Sequence, residues 1–101
     1  MTKELPTKMI FRTWKDGEVI AIMPEIPADR MGYYCQSYMH VGQHGSASSN
    51  LIGAHTKPST PDEMRPLMRE LVSIGYVIEP RKRETPKMRD TRMNVARIDM
   101  K

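Results

Sequence analysis

A chain of 101 residues with 39% hydrophobic side chains suits a single domain around one core and needs no covalent staple. Its lone cysteine excludes an internal disulfide, and its longest uncharged apolar run, residues 19–23, falls far short of the ~20 residues of a membrane-spanning helix. The formal charge of +4 is unevenly spread: residues 1–80 carry eight Lys/Arg against nine Asp/Glu, whereas residues 81–101 carry eight against three. Without a charged-then-apolar leader, the sequence is expected to be cytoplasmic.

Residues 1–7 are polar around Pro6 and are read as a flexible lead-in. Lys8 to Trp14 is β-branched and aromatic, Asp16-Gly17 supplies a turn, and Val19 to Met23 returns, which predicts a β-hairpin. Pro24 and Pro27 are expected to stop that second strand. A third strand is expected from Gly32 to Val41. Residues 46–50 are small and polar and read as loop, and no element is assigned to residues 51–59.

Thr60-Pro61-Asp62-Glu63 is a capping box with proline at the first helical position. Met64, Leu67, Met68, Leu71 and Val72 follow at spacings of three and four, so the segment is an amphipathic helix. Pro66 sits awkwardly inside it. Gly75 ends it, and Tyr76 to Glu79 reads as a fourth strand. Residues 8–80 are therefore one α+β domain, a mostly antiparallel four-stranded sheet in the order β-β-β-α-β with one helix on one face. Residues 81–101 show no sustained period and are read as a disordered basic tail.

Gly32 to Gly45 concentrates the reactive side chains: three of four tyrosines, the only cysteine and two of three histidines. Period-two alternation places Cys35, Ser37 and Met39 on one side and Tyr34, Gln36, Tyr38 and His40 on the other. The first set is expected under the helix. The second, with Arg12 and Trp14 from the first strand, would make an open aromatic-polar face, extended by Gln43 and His44 in a Gly-rich loop. Such a face resembles the stacking platforms that take unpaired bases, and it equally suits a protein interface. The arginines and lysines at Arg81, Lys82, Arg83, Lys87, Arg89, Arg92 and Arg97 would add electrostatic affinity for a polyanion.

The leading expectation is thus a non-enzymatic binding or accessory module for a protein or nucleic acid. Two alternatives stand beside it. One is a hydrolase or phosphodiesterase centred on His40 and His44, because imidazole titrates near neutrality. The other is a homodimer that buries the same face. Cys35, His40, His44 and His55 lack the paired short spacing of a zinc site, so no metal or cofactor is expected.

Gly32 to Gly45, read with Thr56-Lys57-Pro58-Ser59-Thr60-Pro61-Asp62-Glu63 and Ile74-Gly75-Tyr76, resembles a family of small uncharacterised proteins of bacteria and their phages. The resemblance spans residues 8–83. It implies an accessory or mobile-element role, and it carries no catalytic residue with it.

Overall fold

A computed structural model describes residues 6–40 and 43–99. The chain opens with the expected hairpin, β1 (Thr7–Trp14) and β2 (Val19–Pro27), paired antiparallel with Ile10 opposite Ile22 and Thr13 opposite Val19. Gly17 takes φ +91° in the turn, a conformation that an L side chain resists. The Asp16 carboxylate accepts from Glu18 N at 3.0 Å. β2 does not stop at Pro24. It continues to Pro27 with a register shift after Met23, because an irregular pairing tolerates a residue that has no N–H to give.

β3 (Cys35–Met39) pairs antiparallel with β2, and β4 (Gln43–Ala47) with β3. The unassigned segment then forms a short helix, α1 (Ser49–His55), and a three-residue strand, β5 (Thr56–Pro58), beside the end of β1. α2 (Pro61–Ser73) begins on the expected capping box: Glu63 N donates to Thr60 Oγ1 at 3.1 Å, and Thr60 N donates to Glu63 Oε1 at 2.8 Å. Pro66 lies within α2. β6 (Ile78–Arg81) pairs parallel with the first half of β1. The α+β class and the mostly antiparallel sheet stand, with six strands among the described residues where four are expected.

The largest departure is at the C-terminus. Residues 86–99 form a helix, α3 (Pro86–Asp99), where a disordered tail is expected. Met88, Arg92 and Ala96, spaced by four, are its buried residues. They form one stripe. Arg92 interrupts that stripe with a charge, which hides its period from a reading by hydrophobicity.

Helices therefore cover both faces of the sheet. On one, Met9, Phe11, Ala21, Met23 and Tyr38 pack beneath Leu67 and Leu71 of α2. Full burial of each leucine contributes about 1.5–3 kcal/mol. On the other, Ile10, Ile20, Ile22, Cys35 and Ala47 pack with Ile52 of α1, and α3 runs along β2, its Arg92 bonded to the carbonyl of Pro24. The expected face assignment of β3 is thus inverted. Ala21 opposite Tyr38 sets Tyr38 on the side of Phe11, under α2, and leaves Cys35 and Ser37 facing α1 and α3. Tyr38 is buried on one face of β3 and Cys35 and Ser37 on the other, so β3 does not present the open aromatic-polar face expected of it.

Candidate functional site

Several of the residues singled out from the sequence gather in two clusters on opposite faces of the sheet. Arg12 and Trp14 lie on the face of Ile10 and Ile20, whereas Gln36 and Tyr38 lie on the face of Met23 and Ala21. Register alone separates them, because neighbouring strands share a face only through directly opposed positions.

The first cluster surrounds the C-terminal turn of α1. Trp14, half-buried at the end of β1, lines a cavity of about 470 Å³ with Lys15, His55, Thr56, Lys57 and Glu63. That volume falls in the range of small-ligand pockets. The Trp14 Nε1–H is buried and has no hydrogen-bond partner among the described residues, an orphan of a kind that calls for explanation. Glu63 is already engaged: the Thr60 N–H, aided by Lys57 and the Thr13 hydroxyl, holds its carboxyl below the ordinary carboxylate range.

One residue earlier in α1, Gly53 lines a smaller cavity of about 170 Å³ with Arg12, Lys82, Arg83 and Arg89. Ala54, its neighbour, lines the Trp14 cavity. Only the last turn of α1 separates the two spaces. Arg12 anchors that turn: its Nε donates to Thr56 Oγ1 at 2.9 Å, and its guanidinium reaches the carbonyls of Thr56 at 2.7 Å and Gly53 at 3.3 Å. Glu84 is the carboxylate of the smaller cavity, and it is bound by Arg92 and lies 3.5 Å from Arg89. The result is a cationic strip of six Lys/Arg that holds the Trp14 indole and the His55 imidazole. Both of its carboxylates are already bonded within the protein.

The second cluster joins β3, β4 and α2. The Tyr38 hydroxyl donates to Glu70 Oε2, and His40 Nδ1 lies 2.6 Å from Glu70 Oε1. His44, directly opposite Tyr38, sets its ring edge-on to the tyrosine with centroids 4.7 Å apart. Its Nε2 is 3.4 Å from the Tyr76 hydroxyl. Both histidines thus gather around Tyr38, yet each has its own partner. His40 is exposed and oriented by a carboxylate, the posture of a surface acid-base group.

The other candidates scatter. Tyr34 is exposed in the loop before β3, where its N–H donates to Asp29 Oδ1 at 2.8 Å. Gln36 is half-buried and donates to the Pro27 carbonyl at 3.4 Å. Gln43 enters β4 by its backbone, and its side chain lies outside the described residues. The expected Gly-rich loop gives way to strand from residue 43 onward, and residues 41–42 are outside the described set. Cys35 is buried, donates to the Ala47 carbonyl at 3.4 Å, and is pushed up to about 11 by that burial.

Among the tail cations, Arg81 pairs with Glu79 in β6, Lys87 and Arg97 are exposed on α3, and Arg92 is interior. Arg92 is therefore no part of an electrostatic arm. Its guanidinium donates to the carbonyls of Gly32 at 2.8 Å and Pro24 at 2.9 Å and pairs with Glu84. Sequence reasoning missed Lys15, His55 and Lys57 at the first cluster and Glu70 and Tyr76 at the second. The first three sit in turns and in the segment given no element, and Glu70 belongs to the polar side of α2.

Among the described residues, no three His, Cys, Asp or Glu side chains are grouped to hold a metal ion, and no helix is long and apolar enough to cross a membrane. Comparison of the chain with family models, with curated proteins and with solved structures finds no match.

Proposed function

We propose that this chain is a non-enzymatic module that binds single-stranded nucleic acid along the cationic strip around α1. The observation that carries this reading is the adjacency of two cavities across one helical turn, one holding Trp14 and the other lined by Arg12, Lys82, Arg83 and Arg89. An unpaired base stacks on an indole, and the neighbouring phosphates fall among the cations. The larger space suits a base and the smaller a phosphate group. Sequence-tolerant binding is expected, since stacking and charge read no base edge.

Trp14 is the single tryptophan of the chain, so its fluorescence reports directly on the site. Titration with a fluorescein-labelled oligothymidylate should quench that emission and give an affinity that falls linearly with the logarithm of salt concentration. Lys82→Ala with Arg83→Ala should flatten the slope by about 1.4, at ~0.7 for each single-strand phosphate that is no longer neutralised. Binding that ignores salt, or an indole that stays unquenched at saturation, would remove the proposal.

A second reading has one observation in its favour, the carboxylate-oriented His40 beside Tyr38 and His44. It would make the other face a site of histidine-based phosphodiester hydrolysis. Against it, His44 is directed to Tyr76 rather than to His40. Turnover of bis(p-nitrophenyl) phosphate by the wild type, lost in His40→Ala, would favour this reading over binding alone.

A further inference from the structure

The outer side of α2 carries a surface that the nucleic-acid reading does not use. Pro61, Met64, Met68 and Val72, with Pro80 of β6, line an open groove of about 660 Å³. It runs the length of the 13-residue helix, about 20 Å at 1.5 Å per residue. Val72 is 58% exposed, and Ile74 and Val77 beyond the helix end are 51% and 43% exposed. Apolar side chains gathered along one groove, rather than scattered singly, are the kind of surface that a partner can cover.

Its chemistry narrows the occupant. The polar side chains bordering the groove are Arg65, Arg69 and Ser73, with no carboxylate among them. Arg65 and Arg69 stand one turn apart on the rim. Arg65 pairs with Asp62 at 3.1 Å, but both side chains are largely exposed, and such a pair is worth little and exchanges partners readily. A small polar ligand would find few convergent groups to orient it. A second helix would find a row of side chains at spacings of three and four, which is what ridge-into-groove packing requires. Met64 and Met68 adapt their thioethers to the incoming side chains.

The geometry points to a docking site for an amphipathic helix of a partner protein whose apolar stripe is flanked by Asp or Glu. The stripe fills the groove between Met64, Met68 and Pro80, and the flanking carboxylates meet Arg65 and Arg69. The residues lining this groove are separate from those lining the two cavities of the cationic strip, so one chain can hold nucleic acid and an acidic protein helix together. The docking site does not depend on the nucleic-acid reading.

The test uses three synthetic fluorescein-labelled peptides of about sixteen residues, long enough to span α2. One has a leucine stripe flanked by glutamates, the second replaces the glutamates by lysines, and the third keeps the glutamates and replaces the leucines by serines. Anisotropy titration should show the Leu/Glu peptide binding in the micromolar range at least about tenfold tighter than either control. Arg65→Glu with Arg69→Glu should reverse the preference toward the Leu/Lys peptide, and Val72→Asp should weaken both. These side chains are exposed, and unchanged circular dichroism will confirm the fold of each variant. Equal affinity for the Glu and Lys peptides, or no binding, overturns the proposal. So does self-association of the free protein that Val72→Asp abolishes, since a second copy would then occupy the groove.

Discussion

Arg92 Nε donates to the carbonyl of Gly32 at 2.8 Å, a bond between α3 and the loop before β3. The same guanidinium reaches the Pro24 carbonyl and Glu84, and both side chains of the Arg92–Glu84 pair are under 10% exposed. A charge this deep is tolerable only because its partners are all present. Arg92→Ala takes from the buried Glu84 its closest cation, leaving Arg89 at 3.5 Å, and strips the Gly32 and Pro24 carbonyls of a donor, which should cost about 3 kcal/mol. Arg92→Lys should recover little of it, because an ammonium lacks the planar fork that serves three acceptors at once. Urea denaturation of the two variants measures the loss. A chain ending at residue 81 should lose cooperative unfolding, whereas a dispensable tail would leave the midpoint in place.

Gly32 supports the same junction from the other side. It takes φ +79°, and a Cβ there would meet Met93 Cα at 3.0 Å and Ala96 Cβ at 3.2 Å. Gly17 is a matched control, with φ +91° and open space around it. Both alanine variants incur the left-handed backbone strain, about 1–2 kcal/mol. Gly32→Ala should cost a further ~1–3 kcal/mol, because α3 must move to admit the methyl group. Thermal melts of the two variants check this difference, and equal losses would mean that α3 packs more loosely there.

These contacts explain how much of the molecule is legible in its sequence. The hairpin and α2 can be read because local rules agree with the final packing: Asp16-Gly17 suits its turn, and Thr60 with Glu63 caps its helix. The alternation of β3 is also readable. Its facing is not, because Tyr38 sits under α2 to place its hydroxyl on Glu70, and a tyrosine beside a histidine looks more solvent-facing than a cysteine does. α3 is hidden for the same reason, since the centre of its buried stripe is an arginine. At the candidate site, Arg12 and Trp14 are recognisable as aromatic and basic residues two apart. Their meeting with Lys82, Arg83 and Lys57 depends on β5 and β6 both joining the outer edge of β1, which no local pattern announces.

Cys35 gives a chemical check on the covered face. Its thiol is raised from 9.0 to about 11, chiefly by desolvation, with Arg92 nearby working in the opposite direction. Between these values the unfolded chain releases the proton and the folded chain keeps it, so stability is full below pH 9 and declines as the pH rises toward 11. Cys35→Ala should remove most of that alkaline decline. In the native protein at pH 8, labelling by a thiol reagent should be slow and should accelerate on addition of urea, as access then requires opening of the sheet. Rapid labelling without denaturant would show that α1 and α3 do not seal this face.

The capping box joins the stability of α2 to the proposed binding site. Thr60→Ala removes the acceptor for Glu63 N and should cost about 1 kcal/mol at neutral pH. Glu63 itself titrates below its ordinary value of 4.5, first because the Thr60 N–H donates to it. In acid the unfolded chain therefore binds the proton before the folded chain does. The contribution is present above pH 4.5 and fades as the pH falls through the lower folded value. Wild type and Glu63→Gln should thus differ in melting temperature at pH 7 and converge in stronger acid. Glu63 also borders the Trp14 cavity, where its charge opposes an incoming phosphate. Glu63→Gln should consequently bind oligothymidylate a few-fold tighter at low salt, with the gain shrinking as salt screens the carboxylate. A variant that loses helix stability yet gains affinity would tie the carboxylate to both roles, because a general loosening of the fold would weaken binding instead.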